Sequence, residues 1–355
     1  MHSLTSPERI KRSLSGGDFD KIPCFFRAQE QLCLRLQSEL KVRDSISIAK
    51  HFNTDAWQLP VYFKQSAYRQ TEENDKFYDI FGNRFHIVRN KRDSCAMVDI
   101  PVLAPNGVPL PVDSIPWPDA SALDIQKCIQ TAAELRESGL AVFGGLWASL
   151  FTRARDILGE ETFFVSLYDD PEYVHELVAR ITDYFLETNK QYLDHCGKYI
   201  DIYYFGSDFG TQRDLFISPE HFRVFFKPHM KRITQQAKGY GLPVMFHTCG
   251  NVTDIIDDLI ECGIDVLDPV QVSADNMSPE NLTRFKGRIA FNGGISTQTT
   301  LPFGTPEDVR TEVTNLIKTL GPDKLIVAPD QEMIGDVPTE NIAALYETVN
   351  NAIFL

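Results

Sequence analysis

The chain has 355 residues, with 35 Lys and Arg against 49 Asp and Glu for a formal net charge of −14, and 43% of its residues are hydrophobic. Charged and aromatic fractions of 24% and 11% exclude a disordered, collagenous or coiled-coil chain and leave one large domain or two ordinary ones. An acidic chain with no concentrated basic run is a poor partner for nucleic acid, and no stretch approaches the ~20 apolar residues of a membrane span, so no nucleic acid and no membrane are expected as partners.

From the N-terminus, Met1 to Ser15 reads as a charged helix without the apolar segment and small-residue cleavage site of a secretory signal. Seven cysteines lie scattered without paired spacing, which fits a reducing cytoplasm. Short apolar runs at about 22–27, 56–61, 141–145, 201–206, 243–248, 265–269, 288–292 and 324–328 read as buried strands. Five sites repeat one helix-start pattern of a capping residue, Pro and Glu: Ser6-Pro7-Glu8, Asp170-Pro171-Glu172, Ser218-Pro219-Glu220, Ser278-Pro279-Glu280 and Thr305-Pro306-Glu307. Eight strands alternating with helices predict an α/β fold, a (β/α)8 TIM barrel over 1–355, with an open doubly wound sheet as the rival. Residues 62–118 interrupt the alternation: Phe81-Gly82-Asn83 reads as a turn between strands, and six prolines from Pro101 to Pro118 argue against a helix. We expect this segment to be a hairpin and extended loop over the barrel mouth.

In such a barrel the chemistry belongs at the C-terminal ends of the strands. There stand Gly206-Ser207-Asp208, His247-Thr248-Cys249-Gly250-Asn251, Asp268-Pro269-Val270-Gln271, Asn292-Gly293-Gly294 and Asp330-Gln331-Glu332. His247 and Cys249, two apart on an extended segment, point to one face and offer an imidazole and a sulfur to one Zn²⁺. The plainer alternative is a hydrogen-bonded core histidine beside a small buried cysteine. Asp208 is a candidate acid, base or ligand, or a loop cap, while Gln271, Asn292 and Gln298 are candidate substrate hydrogen-bonders or turn residues. His221, His229 and the run Tyr203-Tyr204-Phe205 read as surface, packing and strand core. Nucleotide-binding, dinucleotide-binding and serine-hydrolase motifs are missing.

The segments Ser207-Asp208-Phe209-Gly210-Thr211-Gln212, His247-Thr248-Cys249-Gly250-Asn251, Gly263 through Gln271, Phe291 through Ile295, and Val337-Pro338-Thr339-Glu340-Asn341 together resemble the uroporphyrinogen decarboxylase superfamily. That resemblance implies a TIM barrel and either porphyrin decarboxylation or zinc-dependent methyl transfer with corrinoid proteins. True decarboxylases carry an arginine-rich N-terminal segment that clamps porphyrin carboxylates, whereas the corresponding stretch here, Pro23 to Glu30, has only Arg27. His247-x-Cys249-Gly250 is similar to the first two zinc ligands of the methyltransferase branch. In coenzyme-M-type members a third ligand, cysteine, precedes the Pro-x-Glu-Asn motif by about ten residues. Gln331 takes that place here, flanked by Asp330 and Glu332, and either carboxylate could serve as the ligand; we expect Asp330 at the metal, Glu332 beside Asp208 in a catalytic role, and Gln331 at the substrate.

The chain lacks the Asp-x-His-x-x-Gly signature of a corrinoid-binding domain, so a corrinoid (cobalamin) would come on a partner protein, with residues 62–118 as its docking face. The expected activity is zinc-assisted methyl transfer between a small methyl donor or acceptor and that corrinoid protein, in a cytoplasmic enzyme for which a homodimer is open. The rivals are a metal-free decarboxylase or lyase on a small carboxylated substrate, and a binding protein without turnover.

Overall fold

The computed structural model describes residues 3–352 apart from 70, 72, 74 and 90–93. Its strands in chain order are β1 (Ala56–Leu59), β2 (Lys76–Tyr78), β3 (Arg84–Arg89), β4 (Ser94–Ile100), β5 (Ala141–Gly144), β6 (Ile202–Gly206), β7 (Val244–His247), β8 (Val266–Val270), β9 (Ala290–Ile295) and β10 (Leu325–Pro329). Seven pair in parallel in the order β1-β5-β6-β7-β8-β9-β10. The eighth expected strand, 22–27, is reduced to two bridges, Cys24 to Val327 and Phe25 to Ala56, which join the two edges and close the circle. Pro23 has no N–H to donate, which helps keep this pairing short. The α/β barrel expected from the strand count is therefore the fold.

All five helix-start motifs open helices, at Ser6–Ser15, Pro171–Cys196, Pro219–His221, Pro279–Leu282 and Pro306–Leu320. At Ser6–Ser15 the cap is reciprocal: Thr5 accepts from the Glu8 N–H while the Glu8 carboxylate accepts from the Thr5 N–H. Among the described residues no helix is long and apolar enough to cross a membrane.

Period-two alternation divides the barrel interior into floors. Phe25, Ala56, Ile202, Met245, Val266 and Ala290 belong to one apolar interior cluster, which Ile10 of the N-terminal helix joins. Arg9 of that helix ion-pairs with Asp20 and with buried Asp55. Two residues beyond the apolar floor, along the same strands, stand Arg27, Tyr204, His247, Asp268 and Asn292, all buried. Polar groups at these five positions put the chemistry one floor above a dry core.

Residues 62–118 hold more than a hairpin. β2, β3 and β4 form a three-stranded antiparallel sheet, so a third strand lies in what reads from the sequence as an extended loop. Asp79 shapes its first turn by accepting from the Phe81 and Asn83 N–H groups. The other Asp79 oxygen takes Arg153 of the helix Leu150–Leu158, tying that turn to the element that follows β5.

Candidate active site

Asp268 is the hub. Its Oδ2 accepts from Tyr204 at 2.6 Å and lies 2.7 Å from His247 Nδ1, while Oδ1 accepts from Asn292 and, at 3.1 Å, from Arg27. Burial by itself would raise this carboxyl; Arg27 and the His247 hydrogen bond outweigh it and hold Asp268 well below the usual carboxylate range. An ionised, fully buried carboxylate therefore accepts the Nδ1 proton of His247 and turns Nε2 toward the mouth.

There Nε2 meets Cys249 Sγ at 3.1 Å, with Asp208 Oδ1 3.6 Å away. The ligand atoms of Asp208, His247 and Cys249 all lie within 4.8 Å of one another. Two glycines make this approach fit. A Cβ at Gly206, the register partner of His247, would sit 2.5 Å from the His247 Cβ and 2.9 Å from the Trp147 ring. Gly250 (φ +81°) lets the loop after β7 turn tightly against the backbone of Gly210 and Thr211, and the Cys249 N–H donates to Asp208. Burial first, and then the Asp208 charge, pushes the Cys249 thiol far up. A divalent cation would reverse that, because metal coordination ionises a thiol outright. Borderline nitrogen, soft sulfur and a carboxylate oxygen form a donor set that suits Zn²⁺, and Asp268 supplies the carboxylate behind the histidine that such sites use.

The remaining expected residues divide. Gln331 donates to Cys249 Sγ at 2.6 Å, and Gln271 accepts from the Gly250 N–H at 2.7 Å, so both buttress the sulfur loop. Asn292 Oδ1 is buried without a hydrogen-bond partner, leaving one acceptor in the site. Asp330 falls outside the ligand cluster: its Oδ1 accepts from the backbone and hydroxyl of Thr297, because β10 carries it beside the loop after β9. The third member of the cluster is Asp208. Glu332 is exposed, near enough to Arg27 to act on its charge, and Gln298 is exposed, with its backbone N–H tied to Ser296. His229 sits against Thr182 and burial lowers it to about 4, while His221 packs on Tyr168.

Three contributors escape a sequence reading. Tyr204 reads as strand core, yet its hydroxyl reaches Asp268. Arg27 reads as the remnant of a clamp and is instead the counter-charge of that carboxylate. Trp147, 41% exposed in the loop after β5, rests on His247 with ring centres 5.3 Å apart and on Tyr204 at 5.5 Å. A carboxylate inside an apolar strand demands a buried cation, and Arg27, at the end of the run 22–27, supplies it.

Burial raises the Asp330 carboxyl to about 6, against the pull of its Thr297 bonds. An acid raised in the native state binds more protons folded than unfolded, so stability falls as pH rises from about 4 to about 6 and levels off above. The stability of Asp330→Asn relative to wild type is expected to rise by on the order of 2 kcal/mol between pH 4 and pH 8. Urea denaturation at the two pH values measures this, and an unchanged difference would count against a raised carboxyl.

Residues 99–352 match the family model described as Uroporphyrinogen decarboxylase (URO-D). The chain belongs to the uroporphyrinogen decarboxylase family. Among solved structures, a methyltransferase from Methanosarcina mazei is similar to it over 98% of both chains, with a TM-score of 0.71 and 18% sequence identity, which shows a shared fold. A B12-independent methionine synthase from Shewanella sp. W3-18-1 is similar at a TM-score of 0.48 and 14% identity, over 93% of this chain and 91% of that one. No curated protein matches the sequence. Arg27 engages Asp268 through its Nη1.

Proposed function

We propose that this family member is a methyltransferase that moves a methyl group between a small molecule and a corrinoid carried by a partner protein, with Zn²⁺ held by His247, Cys249 and Asp208. The observation that carries the proposal is the convergence of those three donors within 4.8 Å, with Asp268 fixing the imidazole from behind. The methyltransferase identity of the Methanosarcina neighbour is consistent with it.

When bound, zinc supplies a Lewis acid that polarises a methylated heteroatom or stabilises a thiolate. The protein's own part begins with Asp268, which keeps a proton on His247 Nδ1 and leaves the Nε2 lone pair free. Gln331 donates toward the sulfur, and Asp208, half-exposed at the mouth, accepts from the Cys249 N–H and holds the sulfur loop in place. The Trp147 indole shields the imidazole from water. The three-stranded insertion presents Phe77, 39% exposed and stacked on Phe85, as apolar ground for the corrinoid partner.

The test is metal analysis of protein purified without chelator. About one zinc per chain is expected, and Asp330→Asn is expected to retain it; wild-type protein that neither carries nor takes up zinc would overturn the proposal.

A further inference from the structure

On the β1 and β5 side, the barrel mouth is not filled. The inward positions beyond Ala56 and Phe143 are Gln58, which is exposed, and Gly145, which has no side chain. Above them lies a cavity of about 240 Å³ between the strand ends and the turn 79–83 of the insertion. Leu59, Phe63, Ile80, Phe81, Leu146 and Phe185 give it an apolar wall. Trp147 lines it as well, so one indole separates this space from His247.

We propose that this cavity seats the non-reacting part of the methylated substrate, and that it selects a compact, uncharged apolar group, about the size of one ring. The inference rests on the methyl-transfer reading of the neighbouring site.

Size sets the first limit. An apolar cavity of about 150 Å³ accommodates benzene, and drug-sized ligands occupy about 300 Å³ or more, so 240 Å³ holds a ring with one or two substituents. Charge sets the second. Arg153 is the cation of the lining, and it is already engaged: it ion-pairs with Asp79, lies 3.5 Å from Asp156, and its guanidinium covers the Phe81 ring at 4.6 Å. An anionic ligand would compete with two carboxylates for it. A cationic ligand would find that ring face occupied. The same Arg153–Asp79 pair that excludes charge pins the insertion's turn in place as the cavity's roof.

Phenol is the probe for the neutral ring with oxygen, toluene for the ring alone, and acetate and tetramethylammonium for the two charges. Calorimetry and thermal shift on the full chain are expected to show phenol and toluene binding and no shift with either ion. Val61→Trp, which fills the space, should weaken phenol at least tenfold. Equal phenol binding by wild type and Val61→Trp, no phenol binding by wild type, or preference for an ion would overturn the inference. Zinc content measured on the same samples keeps the two readings apart: zinc retained with phenol unbound removes only the cavity, and phenol bound without zinc removes only the metal site.

Discussion

Replacing His247 or Cys249 with alanine is expected to abolish zinc retention and methyl transfer while leaving a folded protein. The physical reason is the division of labour around Asp268. Without His247, Asp268 still accepts from Arg27, Tyr204 and Asn292, so the cost in stability should stay at about 2 kcal/mol, that of one hydrogen bond to a charged group. Without Cys249, the donors facing the sulfur, the Gln331 amide foremost, sit at the half-open mouth where water replaces it. A zinc ion held as proposed would, by contrast, lose one of its three protein donors. Zinc content after dialysis, read beside a urea melt, separates the effects: a variant that melts like wild type and still carries a full equivalent of zinc would show that the cluster is not the metal site.

Asp268→Asn should do the opposite damage. Breaking a buried ion pair by removing one partner costs about 3–5 kcal/mol, because Arg27 is left charged, buried and uncompensated. The new amide also faces the Tyr204 hydroxyl and the His247 N–H with a donor where an acceptor stood. Zinc affinity should fall about 10–100-fold, the usual effect of losing the group that orients a ligating histidine. The pH dependence has a definite sign. Asp268 is held below its unfolded value, so its contribution is fully present above about pH 4 and fades only as acid titrates the folded carboxyl. Wild type should therefore exceed Asp268→Asn by a constant margin from pH 5 to pH 8, and the margin should shrink below pH 4. Urea denaturation across that range is the measurement, and a margin that grows on acidification would contradict an ionised hub.

Legibility differed from residue to residue for physical reasons. The five Pro-Glu helix starts are local events, settled by a capping oxygen, a missing N–H and the helix dipole within four residues, and every one opened a helix. His247 and Cys249 were legible because two positions along a strand share a face whatever the surroundings. Asp208 needed the fold: its place beside Cys249 comes from the stitching of two loops 41 residues apart. The expectation placed on Asp330 failed for the matching reason, since the same distance from a motif does not specify which neighbouring loop will claim a carboxylate's oxygens.

What the chain determines by itself is the alternation of strand and helix, the apolar floor of the barrel and the polar floor above it, because period and polarity are properties of consecutive residues. Tertiary structure alone decided that Arg27 answers Asp268 from 241 residues away, that Trp147 leans on the imidazole, and that an unfilled mouth beside β1 and β5 is roofed by the insertion. Those outcomes follow from closing the sheet on itself: closure brings the first strand segment beside the last, and only then does a buried carboxylate find its cation and an empty corner acquire its walls.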